Sequence, residues 1–264
     1  MFGEGKEMKL FIRKKEGELK DMKIIVAKDY EEMSKKAADF VAAQIILKPD
    51  SVLGLPTGST PVGMYRELVK RYQAGDIDFS NVVTFNLDEY CGLDAENPQS
   101  YHYFMMENLF AHINVPKQNI HIPSGSALDI QKECDQYEQK IKDAGGIDLQ
   151  VLGIGRNGHI GFNEPATYFE AKTHMVQLDE DTIRANARFF NSIEEVPKKA
   201  ISMGIRAIMQ ARKILLLANG EEKAEAIYKT VQGAIVPQVP ASILQLHPDV
   251  VIILDEKAAD KLSL

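Results

Sequence analysis

The chain reads as an α/β protein: a doubly wound, mostly parallel, Rossmann-like sheet with helices on both faces. Three observations predict this. Short, strongly apolar runs such as "KILLLA" (213–218) and "VVIIL" (250–254) are bounded by turn or charged residues, as strands buried on both faces are. The better runs are each followed by a segment with helical apolar spacing. At 264 residues with 45% hydrophobic and 26% charged side chains, the chain can bury one large core. It has no low-complexity tract, no linker-like stretch and no internal repeat, so one domain is expected.

Residues 1–21, with "RKKEGELK" at 13–20, are charged and lack the apolar stretch of a signal peptide. They are set outside the fold as an extension, a disordered arm or a cloning remnant, and the domain is placed at 22–264. "KIIVA" (23–27) is the first strand. The helix after it puts Met33, Ala37, Phe40, Val41 and Ile45 on one face. "SVLGL" (51–55) precedes a helix from Pro61 to about Tyr72, with Met64, Tyr65, Leu68 and Val69 inward. "VVTFNL" (82–87) ends at Asp88. "SYHYFMMENLF" (100–110) is helical with Ser100 as N-cap. "NIHI" (119–122) is a short strand, 129–143 a helix, and "IDLQVLGI" (147–154) the next strand.

Net charge is −7, from 31 Lys+Arg against 38 Asp+Glu, which argues against a nucleic-acid partner. A locally positive pocket for a small anion stays open. Cys91 and Cys134 form no metal or redox motif, and so few cysteines suit a reducing cytoplasm. No apolar run is long enough to span a membrane.

In a doubly wound sheet, ligands bind beyond the carboxyl ends of the strands. After 51–55 comes "PTGSTP". Thr60 is placed to N-cap the next helix and Pro61 to open it. Gly58 permits close backbone approach, and Thr57, Ser59 and Thr60 add hydroxyls. The loop suits a phosphate, although an ordinary helix-capping loop has the same residues. After 82–87 come Asp88 and Glu89, either a general base or solvated turn carboxylates.

After 147–152 comes "GIGRNGHIGFNEP" (153–165), whose Gly153, Gly155 and Gly158 fit the dinucleotide fingerprint G-x-G-x-x-G. That fingerprint needs a helix beginning near its second glycine. Gly161 and Pro165 interrupt the segment, and no helical stripe starts at Gly158. The match is read as false. Asn157, His159 and Glu164 then form a compact polar set, able to move protons if His159 is not simply a buried, satisfied histidine. In "DTIRANARFF" (181–190), Arg184 and Arg188 share a face if the segment is helical. Lys223 falls in the first turn of the helix after 213–218, where a phosphate would offset its clash with the helix dipole.

Together, "LGLPTGSTP" (53–61), "FNLDEY" (85–90), "GIGRNGHIGFNEP" (153–165), "DTIRANARFF" (181–190) and "LQLHP" (244–248) resemble the glucosamine-6-phosphate deaminase family. They occur in family order from about Ile24 to Asp255. The resemblance implies conversion of glucosamine 6-phosphate and water to fructose 6-phosphate and ammonia, a reaction filed here with the hydrolases, on a Rossmann-like sheet without a dinucleotide. It implies Asp88 as the base that moves a proton from C2 to C1, and His159, supported by Glu164, as the group that opens the sugar ring. The Thr57, Gly58, Ser59 and Thr60 loop, Arg188 and Lys223 would hold the phosphate. Neither cofactor nor metal is expected.

The resemblance departs at Asn157, where some family members carry Asp. An Asn carbonyl can accept a hydrogen bond from the imidazole but adds no charge, so Glu164 is expected to supply most of the electrostatic support. The segment after the "NEP" turn offers only Lys172 and His174 as basic residues. A non-allosteric enzyme is therefore expected, monomeric or a homo-oligomer. Rival readings are a 6-phosphogluconolactonase-like hydrolase and a non-enzymatic sugar-phosphate sensor. The 21 residues before the first strand are too few for the sensor's DNA-binding module.

Overall fold

The computed structural model describes residues 9–12, 22–187 and 190–263. Its strands are β1 (Lys9–Ile12), β2 (Lys23–Ala27), β3 (Val52–Leu55), β4 (Val83–Asn86), β5 (Asp88–Tyr90), β6 (Ile120–His121), β7 (Leu149–Leu152), β8 (His174–Gln177), β9 (Lys199–Ser202), β10 (Lys213–Ala218) and β11 (Val250–Asp255). The α-helices are α1 (Tyr30–Leu47), α2 (Val62–Ala74), α3 (Tyr101–Asn108), α4 (Ile130–Asp143), α5 (Glu180–Asn186), α6 (Ile205–Met209), α7 (Ala224–Gln232) and α8 (Glu256–Ala259).

Eight strands form the main sheet in the order β1-β2-β11-β10-β7-β3-β4-β6. Every pairing from β2 to β6 is parallel. One winding runs outward from β3 to β4 and β6, the other from β7 through β10 to β11. The switch point lies between β3 and β7, where adjacent connections leave in opposite directions and open a crevice.

Helices cover both faces. Met33, Ala37, Val41 and Ile45 of α1 and Met64 and Leu68 of α2 pack with Leu53, Val151, Leu215 and Ile253. Tyr137 and Ile141 of α4 and Ile227 and Val231 of α7 pack on the other face with Leu152, Leu216 and Ile252. Each large aliphatic side chain among them contributes about 1.5–3 kcal/mol on burial, so packing outweighs the weak intrinsic preference of four-residue strands. The helical face expected for α1 is buried except Phe40, which is half-buried at the edge of the stripe. Ser100 caps α3 as expected, its side chain accepting from the Tyr103 amide.

Two expectations are corrected and one open alternative is closed. Residues 9–12, set outside the fold, form β1 and pair antiparallel with β2, where they extend the edge of the sheet. Pro61, not Thr60, occupies the N-cap position of α2, and the Thr60 hydroxyl instead reaches Asn219 at 2.8 Å. A distant partner outcompetes the local cap. Asp88 belongs to no solvated turn: it opens β5 in a second, three-stranded antiparallel sheet ordered β5-β9-β8. Those strands have three or four residues each and are joined only by distant parts of the chain, so no local periodicity announced them.

Candidate active site

Four loops at the carboxyl ends of β3, β4, β7 and β10, with α5, enclose a cleft of about 720 Å³. It lies at the switch point. Asp88, Asn157 and His159 all border it, as do Thr57, Gly58, Ser59, Thr60 and Lys223. Glu164 stands behind His159 and does not border the cleft directly. Arg188 lies outside the described residues; Arg184 borders the cleft and donates to Glu180 at 2.9 Å.

The Thr57–Thr60 loop is braced from behind. The Tyr30 hydroxyl donates to the Ser59 carbonyl (3.0 Å) and accepts from the Gly63 amide (2.8 Å). Gly58 has φ +94°, a left-handed conformation that glycine adopts without strain. The first turn of α2 has no side-chain cap at its N-cap residue and no acidic residue, so no carboxylate of its own competes at the amide end that follows the loop. The Thr60–Asn219 bond clips this loop to the one after β10. That second loop is anchored where the Gly220 amide meets both carboxylate oxygens of Asp255 at 3.0 Å. Lys223 ends the short 3-10 turn Glu221–Lys223, directly before α7.

Asp88 is 6% exposed, and its register partner is Ser202 in β9. Burial pushes its carboxyl up to about 8; the neighbouring Glu89 carboxylate adds to the rise, and a hydrogen bond from Thr57 opposes it. Among the described residues its Oδ1 meets no hydrogen-bond partner. A buried carboxyl with one unpaired oxygen, poised near neutral pH, suits a general base. Glu89 points away and is fully occupied. It accepts from the amides of Tyr90 (2.8 Å), Tyr101 (2.9 Å) and His102 (2.9 Å), and so fastens the start of α3.

The segment after β7 contains no helix until α5. It is a stack of tight turns: the Gly155 amide bonds the His159 carbonyl (2.9 Å), and the Gly158 amide the Gly155 carbonyl (3.0 Å). A Cβ at Gly155 would lie 2.4 Å from the His159 ring, whereas one at Gly153 would meet nothing within 4 Å. Gly155 therefore makes room for the imidazole.

His159 Nδ1 lies 3.2 Å from Glu164 Oε2. The same oxygen accepts from Asn157 Nδ2 at 2.8 Å, and Oε1 accepts from the Thr182 hydroxyl at 2.6 Å. Burial works to raise the Glu164 carboxyl, but the His159 hydrogen bond and charge, with those from Thr182 and Asn157, hold it below the usual range. Asn157 does not accept from the imidazole as expected. Its carbonyl takes the His159 backbone amide at 3.1 Å, because the side chain folds back over its own turn. Thr182, Tyr101 and Asn219 are cleft residues that the sequence reading missed. Thr182 lies inside a motif that reading quoted, but only a contact 18 positions back distinguishes it.

Fold and cleft together define an α/β enzyme with a polar cleft at the switch point of a doubly wound sheet. A sequence profile described as glucosamine-6-phosphate isomerases/6-phosphogluconolactonase matches residues 27–252. The chain belongs to that family. It is 64% identical over 242 residues to a glucosamine-6-phosphate deaminase of Clostridioides difficile (strain 630), covering 92% of this chain and 97% of the relative. It is also 64% identical over 241 residues to the enzyme of that name from Clostridium novyi (strain NT), covering 91% and 100%. A solved monomeric glucosamine-6-phosphate deaminase superposes with a TM-score of 0.88 at 49% identity, over 90% of this chain and 98% of that one. The 6-phosphogluconolactonase of Trypanosoma brucei shares the fold, with a TM-score of 0.70 at 17% identity over 93% and 100% of the two chains.

Proposed function

We infer that this enzyme converts glucosamine 6-phosphate and water to fructose 6-phosphate and ammonia, in the breakdown of amino sugars. The observation that carries this reading is the meeting, at one cleft, of a buried carboxyl with an unpaired oxygen and a histidine backed by Glu164. The chain that bears them is 64% identical to relatives of that name across nearly their whole length. The chemistry is isomerisation with deamination, and the hydrolase label is dropped. The lactonase reading is not favoured, since the likeness to solved lactonases stands at 17–21% identity and supports the fold alone.

In the mechanism we assign, the loop Thr57–Thr60, Lys223 and Arg188 hold the phosphate. This binding, remote from the reacting carbons, orients the sugar. His159 moves the proton between the ring oxygen and the anomeric hydroxyl, with Glu164 stabilising the imidazolium. Asp88 as carboxylate takes the proton from C2 and returns it to C1. The resulting C2 imine adds water and expels ammonia. Asn157 orients the turn and Glu164 rather than supplying charge. Among the described residues no helix is long and apolar enough to cross a membrane, and the low cysteine content supports a cytoplasmic site of action.

The test is release of ammonia and fructose 6-phosphate from glucosamine 6-phosphate with a chelator present. Wild-type protein is expected to release both in equal amounts, and Asp88→Asn to lose roughly 10²–10⁴-fold in rate. Folded wild-type protein that releases neither sinks the reading.

A further inference from the structure

Building on that reading, we propose that Thr182 is a positioning residue for ring opening: its hydroxyl locks Glu164 beside His159 and ties that pair to α5. A carboxylate has two oxygens to hold. Asn157 and His159, both from the loop after β7, engage Oε2. Nothing in that loop secures Oε1; the Thr182 hydroxyl does, at 2.6 Å. The terminal torsion of a glutamate is broad, so one engaged oxygen leaves the carboxylate plane free to turn away from the imidazole. Water is a poor substitute, because the Glu164 side chain is 9% exposed and Thr182 5%. The hydroxyl donates to an ionised acceptor, the stronger class of hydrogen bond.

The position of Thr182 in the fold gives this bond a second effect. It sits on α5, which connects β8 to β9. Those strands complete the small sheet that carries Asp88 in β5, with Asp88 and His174 both in register with Ser202. His159 and Glu164 sit on the loop of the main sheet. The Thr182–Glu164 bond therefore spans the two bodies that carry the proposed base and the proposed ring-opening pair. Thr182 and Asn186, four apart on one face of α5, both border the cleft, so substrate seated against that face presses on the element that holds Glu164.

Thr182→Val keeps the shape and removes the hydroxyl; Thr182→Ser restores it. The rate of ammonia release and the affinity for an acyclic amino-alditol 6-phosphate, which needs no ring opening, are measured for both variants, with thermal melts alongside. The expected result is kcat lowered about tenfold in Thr182→Val, KM and acyclic-analogue affinity within about twofold of wild type, and most of kcat recovered in Thr182→Ser. Wild-type kcat in Thr182→Val overturns the inference alone. So does equal impairment of both variants, or a parallel loss of analogue binding, each of which marks a purely structural role. Wild-type protein that releases no ammonia overturns the deaminase reading itself and this inference with it.

Discussion

At Asp88 a single residue is asked to be buried, next to another carboxylate and chargeable. Its surroundings resist the charge, which is why its carboxyl sits at about 8 rather than near the ordinary aspartate value. This has a consequence for stability. A carboxyl raised in the native state stabilises the fold below its unfolded value, and that contribution is lost as pH rises through the native value. Asp88→Asn removes the titration. The variant should therefore be inactive yet more heat-stable than wild type at pH 9, by roughly 2–4 °C per kcal/mol recovered. At pH 4 the two melts should nearly coincide. Thermal melts across that range decide it, and a variant less stable at pH 9 than at pH 4, relative to wild type, contradicts the assignment. Asp88 was legible as a candidate from its place after an apolar run. Its burial was not, because the shield comes from Glu89, Thr57 and the small sheet.

The loop after β7 teaches the same lesson for an element. Its glycines fit a dinucleotide fingerprint, and only Gly161, Pro165 and the missing apolar stripe argued against it. The reason for Gly155 is the imidazole packed on its backbone, 2.4 Å from where a Cβ would stand. Gly155→Ala should displace His159 and lower kcat roughly 10²-fold, with about 1–3 kcal/mol of overpacking lost in stability. Gly153→Ala should retain near-wild-type turnover, since a Cβ there meets nothing within 4 Å. Equal damage from both substitutions, measured by steady-state kinetics and melts, would mean that the glycines serve a bound ligand along their whole length. The parallel strands of the main sheet were legible as apolar runs, whereas β1 was not; β5, β8 and β9 were not, because they are short, and β5 pairs with β9 across more than a hundred residues while β8 pairs with β9 across more than twenty.

For the whole molecule, the proposal is an enzyme that works as a monomer without an allosteric effector. The sparse basic content between Ala166 and Leu178 supports the absence of an effector site. Rate against glucosamine 6-phosphate should be hyperbolic, and N-acetylglucosamine 6-phosphate should change it by less than about twofold at subsaturating substrate. Sedimentation should give a single species near the 29.5 kDa chain mass. A sigmoidal curve made hyperbolic by the acetylated sugar contradicts the proposal.

What the chain determined by itself was the succession of buried strands and amphipathic helices, and hence a doubly wound sheet whose candidate cleft lies at the strand ends. Periodicity is a local property, and burial on both faces leaves its mark residue by residue. The candidate phosphate loop, Asp88 and His159 could be nominated for the same reason: each lies in the segment that follows a strand. Only the tertiary structure decided what each nominee touches. It moved the Thr60 hydroxyl from a helix cap to Asn219, turned the Asn157 carbonyl to the backbone, folded residues 9–12 onto the sheet edge and brought Thr182 to Glu164. Hydrogen bonds between distant segments form wherever folding leaves a buried group in need of a partner. That need arises from the packed geometry and has no counterpart in local sequence.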